Sequence, residues 1–338
     1  MNVNRNTIVL AAAGVATALL FAANLFVGSV HIPFGQVVDI VLGRGAEKET
    51  WEFIVLQTRL PQAVTAAICG ASLATAGLLL QTVFANPLAG PSVLGISSGA
   101  GLGVALVIMA GGALGIGGFG AEIAGALAGA GAGLAAIVLF STRVGSSTSL
   151  LIIGLMLSYL TSAAITLLNF GASAEKAHAF MVWGLGNFSG VGLQRLPALA
   201  IPCLAGLAVA TLLVKPLNAM TLGADYARNL GINTVRTRNL LLGATGILTA
   251  ATTAFCGPIA FIGLAVPHIA RLLTRSAGHH RLLPATMLTG VATALLCNMA
   301  CIAPGNGTVL PLNAVTPVIG APVVIYVVIN RRRINYFN

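Results

Sequence analysis

Between Leu60 and Ile329 no Asp, Glu, Lys or Arg lies deep inside an apolar stretch, and the stretches are long. Runs of about 18 apolar residues or more recur along the chain, the length at which a helix crosses the hydrocarbon of a bilayer. A lipid-facing backbone must satisfy its own hydrogen bonds, so each run is predicted to be a helix. Ten segments separate, at about 8–30, 60–83, 93–111, 119–141, 149–169, 196–214, 239–256, 258–274, 282–303 and 315–330. The predicted fold class is all-α: a polytopic integral membrane protein of about ten transmembrane helices, one transmembrane domain over residues 1–338. Composition agrees, with 57% hydrophobic and 7% charged residues against about 25% charged in soluble domains, and a mean hydropathy of +0.96.

The net charge of +10 orients such a chain. With the N-terminus inside, the internal loops hold Arg5, Arg143, Lys215, Arg228, Arg236, Arg238, Arg271, Arg275, Arg281, Arg331, Arg332 and Arg333. The opposite side holds Arg44, Lys48, Arg59, Lys176 and Arg195. This satisfies the positive-inside rule and places both termini in the cytoplasm. No basic face with interleaved aromatics is visible, so nucleic acid is not an expected partner. The apolar run from Ile8 to Val30 exceeds the roughly 7–15 residues of a signal-peptide h-region and is expected to stay as a first span.

Several chemistries lack their residues. No G-x-x-x-x-G-K-[ST] loop exists, so the chain carries no P-loop of its own. No His/Cys/acid cluster has metal-ligand spacing, and the five cysteines fall in apolar segments as small packing residues. No nucleophile–base pair suggests a lipid-acting enzyme; no catalytic, metal or cofactor residue is assigned. A proton-driven carrier needs an intramembrane acid or histidine, and His268 in "GLAVPHIARLL" is the one candidate. A lone histidine beside proline is more often a structural hydrogen-bonding residue. An ion-coupled carrier using His268, or unwound backbone around Pro258–Pro267, is the alternative function.

The stretch "MTLGADYARNLGINTVRTRN" (220–239) is a polar, mostly basic island between apolar runs. Leu222, Tyr226 and Leu230 fall at i, i+4 and i+8, the spacing of one helix face. Asp225 can reach Arg228, and Gly231 suits a left-handed helix stop. The segment is too short to span, so a short amphipathic helix on the cytoplasmic surface is predicted, resting on lipid headgroups or docking on a cytoplasmic protein. In "NPLAGPSVLGISSGAG" (86–101) Pro87 and Pro91 are expected to end the second span and Ser92 to cap the third. Gly95, Gly99 and Gly103, and Gly125, Gly129 and Gly133, repeat every four residues. Such stripes let helix backbones approach closely.

These residues resemble the FecCD-type permease subunits of ABC importers for iron–siderophore, haem and cobalamin. The matching stretches are "RLP", "NPLAGPSVLGISSGAG", "VWGLGNFSG" (182–190), "LGADYARNLGI" (222–232), "GPIAFIGLAVPHIARLL" (257–273) and "LPLNAVTPVIGAP" (310–322), in the family's order. The resemblance implies a bacterial inner-membrane homodimer with two cytoplasmic ATPase subunits and an extracytoplasmic substrate-binding protein. ATP and magnesium would sit on the ATPase, with no cofactor in this chain. It makes the helix within the 215–238 loop the ATPase-docking element, with Leu222, Gly223, Asp225, Tyr226, Ala227, Arg228, Leu230 and Gly231. Arg59 matches the first arginine that family permeases offer to the binding protein, whereas Gln62, Asn298 and Ile302 stand where the family carries Arg, Asp and Arg. The family's pathway, lined by the fifth and tenth spans, points by position to Leu155, Tyr159, Ser162 and Thr166, and to Val318, Gly320 and Pro322.

Overall fold

The computed structural model describes residues 5–144, 146–302 and 309–330; Arg331, Arg332 and Arg333 lie outside them. The described residues form helices α1 (Arg5–Phe26), α2 (Phe34–Val41), α3 (Glu49–Phe53), α4 (Leu60–Val83), α5 (Ile96–Ala105), α6 (Phe119–Arg143), α7 (Ser147–Phe170) and α8 (Ala174–Gly184). They continue with α9 (Leu196–Leu212), α10 (Val214–Thr221), α11 (Ala224–Asn229), α12 (Thr234–Cys256), α13 (Ile262–Thr274), α14 (His279–Ile302) and α15 (Leu312–Ile329). Wider π turns over Ile54–Arg59 and Leu106–Ala110 lead into α4 and extend α5.

Each of the ten expected segments meets a helix, but spanning length is less common than hydropathy suggested. Among the described residues six helices are long and apolar enough to cross a bilayer, and α9 with α10, bent by 55°, would make a seventh if the pair crosses as one span. Ile96–Ala110, Ile262–Thr274 and Leu312–Val327 are apolar but shorter. The 13 residues of α13 rise only about 20 Å, because residues 257–260 ahead of it are not helical, with Gly257 at φ +73°. The helix begins only after Phe261, at φ +66°.

The bundle is built around α4. In the stretch Glu49–Val83 the apolar window is 83% buried, against 72% in α12 and 44% in α14. Small residues let neighbours close on α4 from several sides. A Cβ on Gly70 would collide with Gly290 O of α14, and one on Gly77 with Gly263 O of α13. The two predicted glycine stripes pack against each other: Gly99 faces Gly129, Gly103 faces Gly125, and Gly133 faces Gly95, each against backbone. Van der Waals contact between helices is the main attraction inside a membrane, where lipid is as apolar as leucine.

The 86–101 stretch folds differently from the expected cap. Helix α4 ends at Val83, before either proline, through Ala85 at φ +45°. Asn86 Oδ1 then accepts the N–H of Leu88 at 2.9 Å. Ser92 does not cap the third segment: Pro91–Leu94 is one 3₁₀ turn, and α5 starts from Gly95 at φ +76°, with no side-chain cap. The left-handed turn changes chain direction at Gly95, placing Ser92 a turn too early.

Candidate docking and pathway site

The island at 220–239 lies at one end of the bundle as a folded-back elbow. Leu217 of α10 is fully buried and fixes the elbow's near arm in the core. Gly223, at φ +109°, then breaks the chain before the six residues of α11. The far end is a Schellman closure: Gly231 takes φ +77°, its N–H donates to Arg228 O at 2.9 Å, and Ile232 N–H donates to Ala227 O at 3.0 Å. The predicted helix over about ten residues is therefore shorter. Leu222 precedes the glycine break and Leu230 sits in the closing turn, so the three apolar residues do not share one continuous helix. They are nonetheless exposed together, at 55%, 50% and 58% for Leu222, Tyr226 and Leu230, while Ala227 is buried. Asp225 and Arg228 pair at 3.1 Å, both exposed, a contact worth about 0–1 kcal/mol.

Polar anchors hold both arms of the elbow. On the near arm, Asn218 Oδ1 accepts the backbone N–H of His279 at 2.7 Å. On the far arm, Asn233 caps α12 through Arg236 N at 2.9 Å, Arg238 donates to Ser141 O, and Ser141 Oγ donates to Asn239 Oδ1 at 2.8 Å. Beneath the near arm, Arg271 Nη1 donates to Gln81 Oε1 at 2.6 Å, and Gln81 Nε2 donates to Leu264 O at 3.2 Å. His268 is fully buried with Nε2 at 2.8 Å from Pro87 O. A carbonyl only accepts, so Nε2 carries the proton and the ring ties α13 to the 86–91 turn. This is the structural task for His268, and it joins two of the recognised motifs.

The opposite end of the bundle joins three more. Asn313 Nδ2 donates to Gly184 O at 3.0 Å and Pro258 O at 2.6 Å, and its Oδ1 accepts Ala260 N–H at 3.0 Å. One amide thus pins "VWGLG", "GPIAF" and "LPLNA" together; its place in a recognised motif was the only sequence signal for it. Gln62 Nε2 donates to Asn298 Oδ1 at 2.9 Å, and Asn298 Nδ2 to Asn24 Oδ1 at 2.7 Å. Two of the three positions that depart from the resemblance's charged pattern, Gln62 and Asn298, therefore touch, while the third, Ile302, is apolar. Arg59 is 5% exposed, its Nη1 2.9 Å from both Leu25 O and Phe26 O, with Nη2 on Val30 O. These are carbonyls at and just past the end of α1, which a cation is well placed to satisfy. Gly28 makes room, since a Cβ there would strike the guanidinium at 2.6 Å.

A bundle of apolar helices closing on small residues, with motif residues at its joints and one elbow exposed, is an architecture that many membrane functions share. The sequence pattern of the FecCD transport family matches residues 16–330. The chain belongs to the FecCD transport family. It is 35% identical over 290 residues to the vitamin B12 import system permease protein BtuC of Salmonella paratyphi A, covering 83% of this chain and 85% of the relative. The BtuC of Klebsiella pneumoniae is 36% identical over 283 residues, covering 83% and 84%. Among solved structures, a metal-chelate type ABC transporter in an inward-facing conformation superposes with a TM-score of 0.84 at 27% identity, covering 96% of this chain and 98% of that one. PsaBC from Streptococcus pneumoniae shares the fold with a TM-score of 0.54 at 16% identity, covering 86% and 94%.

Within this FecCD chain the pathway candidates divide. On α7, Tyr159, Ser162 and Thr166 are exposed and Leu155 is half-buried. On α15, Val318 and Pro322 are exposed, but Gly320 is buried against Phe261, whose Cβ lies 2.8 Å from where a Gly320 Cβ would sit. Gly320 is thus a packing position between exposed neighbours. Among the described residues no three His, Cys, Asp or Glu side chains group as a metal site.

Proposed function

We propose that the chain is the permease subunit of an ATP-driven importer that moves a metal chelate (an iron–siderophore, haem or cobalamin) into the cytoplasm by alternating access. Two copies would assemble in the bacterial inner membrane, with about ten crossings each and both termini cytoplasmic. The elbow at 222–231 would dock a separate ATPase carrying ATP and magnesium, and an extracytoplasmic binding protein would deliver substrate. The observation that carries this reading is the elbow itself. Leu222, Tyr226 and Leu230 stand exposed at the tip of a segment whose two arms are anchored in the bundle. Family membership and the relatives' names support it. The outward faces of α7 and α15 supply an apolar, uncharged lining suited to a large ligand held weakly, with selectivity left to the binding protein. Docking through Arg59 would require the guanidinium to leave the end of α1.

The test is affinity purification of the tagged chain from its native membrane in mild detergent, with mass spectrometry of what accompanies it. An ATPase should be recovered at about one per permease and be lost from Leu230→Asp, whose exposed site lets the variant fold. Recovery of the ATPase at the same level with Leu230→Asp would refute docking at the elbow.

A further inference from the structure

Asn218 makes two bonds to one residue across the bundle. Its Oδ1 lies 2.7 Å from the backbone N of His279 and 3.0 Å from Nδ1 of the same histidine. A backbone N–H can only donate, which fixes the orientation of the Asn218 amide. Its oxygen can only accept, so the His279 ring carries a proton on Nδ1. A neutral ring then presents Nε2 as an acceptor; Thr82 Oγ1 lies 2.9 Å from it and 2.9 Å from Leu78 O, so the one hydroxyl proton is shared between two acceptors. His279 and Thr82 are 1% and 4% exposed, so little water competes for these bonds.

The connection crosses three elements: α10, four residues ahead of Leu222; the first residue of α14; and the last turn of α4. Thr82 adjoins Gln81, which receives Arg271 of α13. Helix α9 offers no straight route for a push, because α10 is bent from it by 55°. The near arm of the elbow meets the core through the packing of Leu217 and Ala219 and through the bonds of Asn218.

We propose that Asn218–His279–Thr82 is the latch that transmits displacement of the docking elbow to α4 and α14, with Asn218 and His279 as positioning residues. The latch rests on the docking role proposed for 222–231. A merely structural role is available, since Asn218 also caps the start of α14 through the backbone N–H alone. His279→Gln separates the two: it keeps that cap and reaches Thr82 with its terminal amide, but loses the Nδ1 bond to Asn218. Asn218→Asp keeps an acceptor for both donors.

The experiment uses the full complex with its co-purifying ATPase and a reporter cysteine at Ser162 on α7. The five native cysteines are buried, so maleimide reads the reporter. Its modification rate is compared without nucleotide and with ATP plus vanadate. The ATP-dependent change in rate should fall by about fivefold or more in Asn218→Ala and His279→Gln, with ATP hydrolysis and subunit recovery at the parental level, and persist in Asn218→Asp. A parental response in Asn218→Ala and His279→Gln would overturn the latch, and so would loss of the ATPase or of hydrolysis along with the response. A parent complex that hydrolyses ATP without any response at Ser162 would be a failure of the pathway reading instead.

Discussion

Helices α4 and α7 have the same length, 24 residues, and nearly the same apolar character, yet 83% of the apolar window ending in α4 is buried and 11% of that in α7. Hydropathy cannot separate them because lipid and protein interior are equally dry. Side-chain size separates them. Helix α4 is rich in Ala, Gly, Ser and Thr, so backbones close on it, and its hydroxyls at Thr65 and Thr75 are enclosed without a hydrogen-bond partner. Helix α7 carries Met156, Tyr159, Leu160, Leu167 and Phe170 outward, the last 94% exposed. One helix is a hub and the other a face turned to whatever surrounds this copy, as lipid, ligand path or second copy would require.

The largest effect should come from emptying the hub. Leu78→Ala, at a fully buried site of α4, should cost about 2–5 kcal/mol in thermal unfolding of the detergent-purified chain. Next comes the seam between α5 and α6. Gly103→Val should cost about 1–3 kcal/mol more than Gly131→Val, because a Cβ at Gly103 strikes Gly125 O while nothing lies within 4 Å of one at Gly131. The smallest belongs to α7: Leu167→Ala, 75% exposed, should change stability by no more than about 0.5 kcal/mol. A loss at Leu167 as large as that at Leu78 would break the comparison and show that face of α7 covered in the purified particle.

Much of this was legible in the sequence. Each of the ten apolar runs meets a helix, the glycine stripes marked faces of close approach, and Gly231 marked its Schellman turn. What the sequence obscured were departures from regular helix. Gly223 and Gly95 adopt positive-φ backbone that a helical spacing rule reads through, so α11 is shorter than the spacing predicts and Ser92 caps nothing. Side-chain ties between distant segments were also hidden. Asn218, His279 and Asn313 look like flanking polar residues until the fold brings their partners from 53 to 197 residues away. The resemblance offers Arg59 to the binding protein, and only the fold shows the three carbonyls that surround its guanidinium.

In the proposed mechanism ATP hydrolysis, received at Leu222, Tyr226 and Leu230, drives transport past α7. The direct measurement is accumulation of labelled cobalamin and ferric siderophores in liposomes carrying the purified complex, with ATP supplied to the elbow side. Accumulation of one of these chelates should require ATP, be indifferent to proton and sodium gradients, and vanish in Leu230→Asp. Accumulation driven by an ion gradient without ATP, and unchanged in Leu230→Asp, would contradict it.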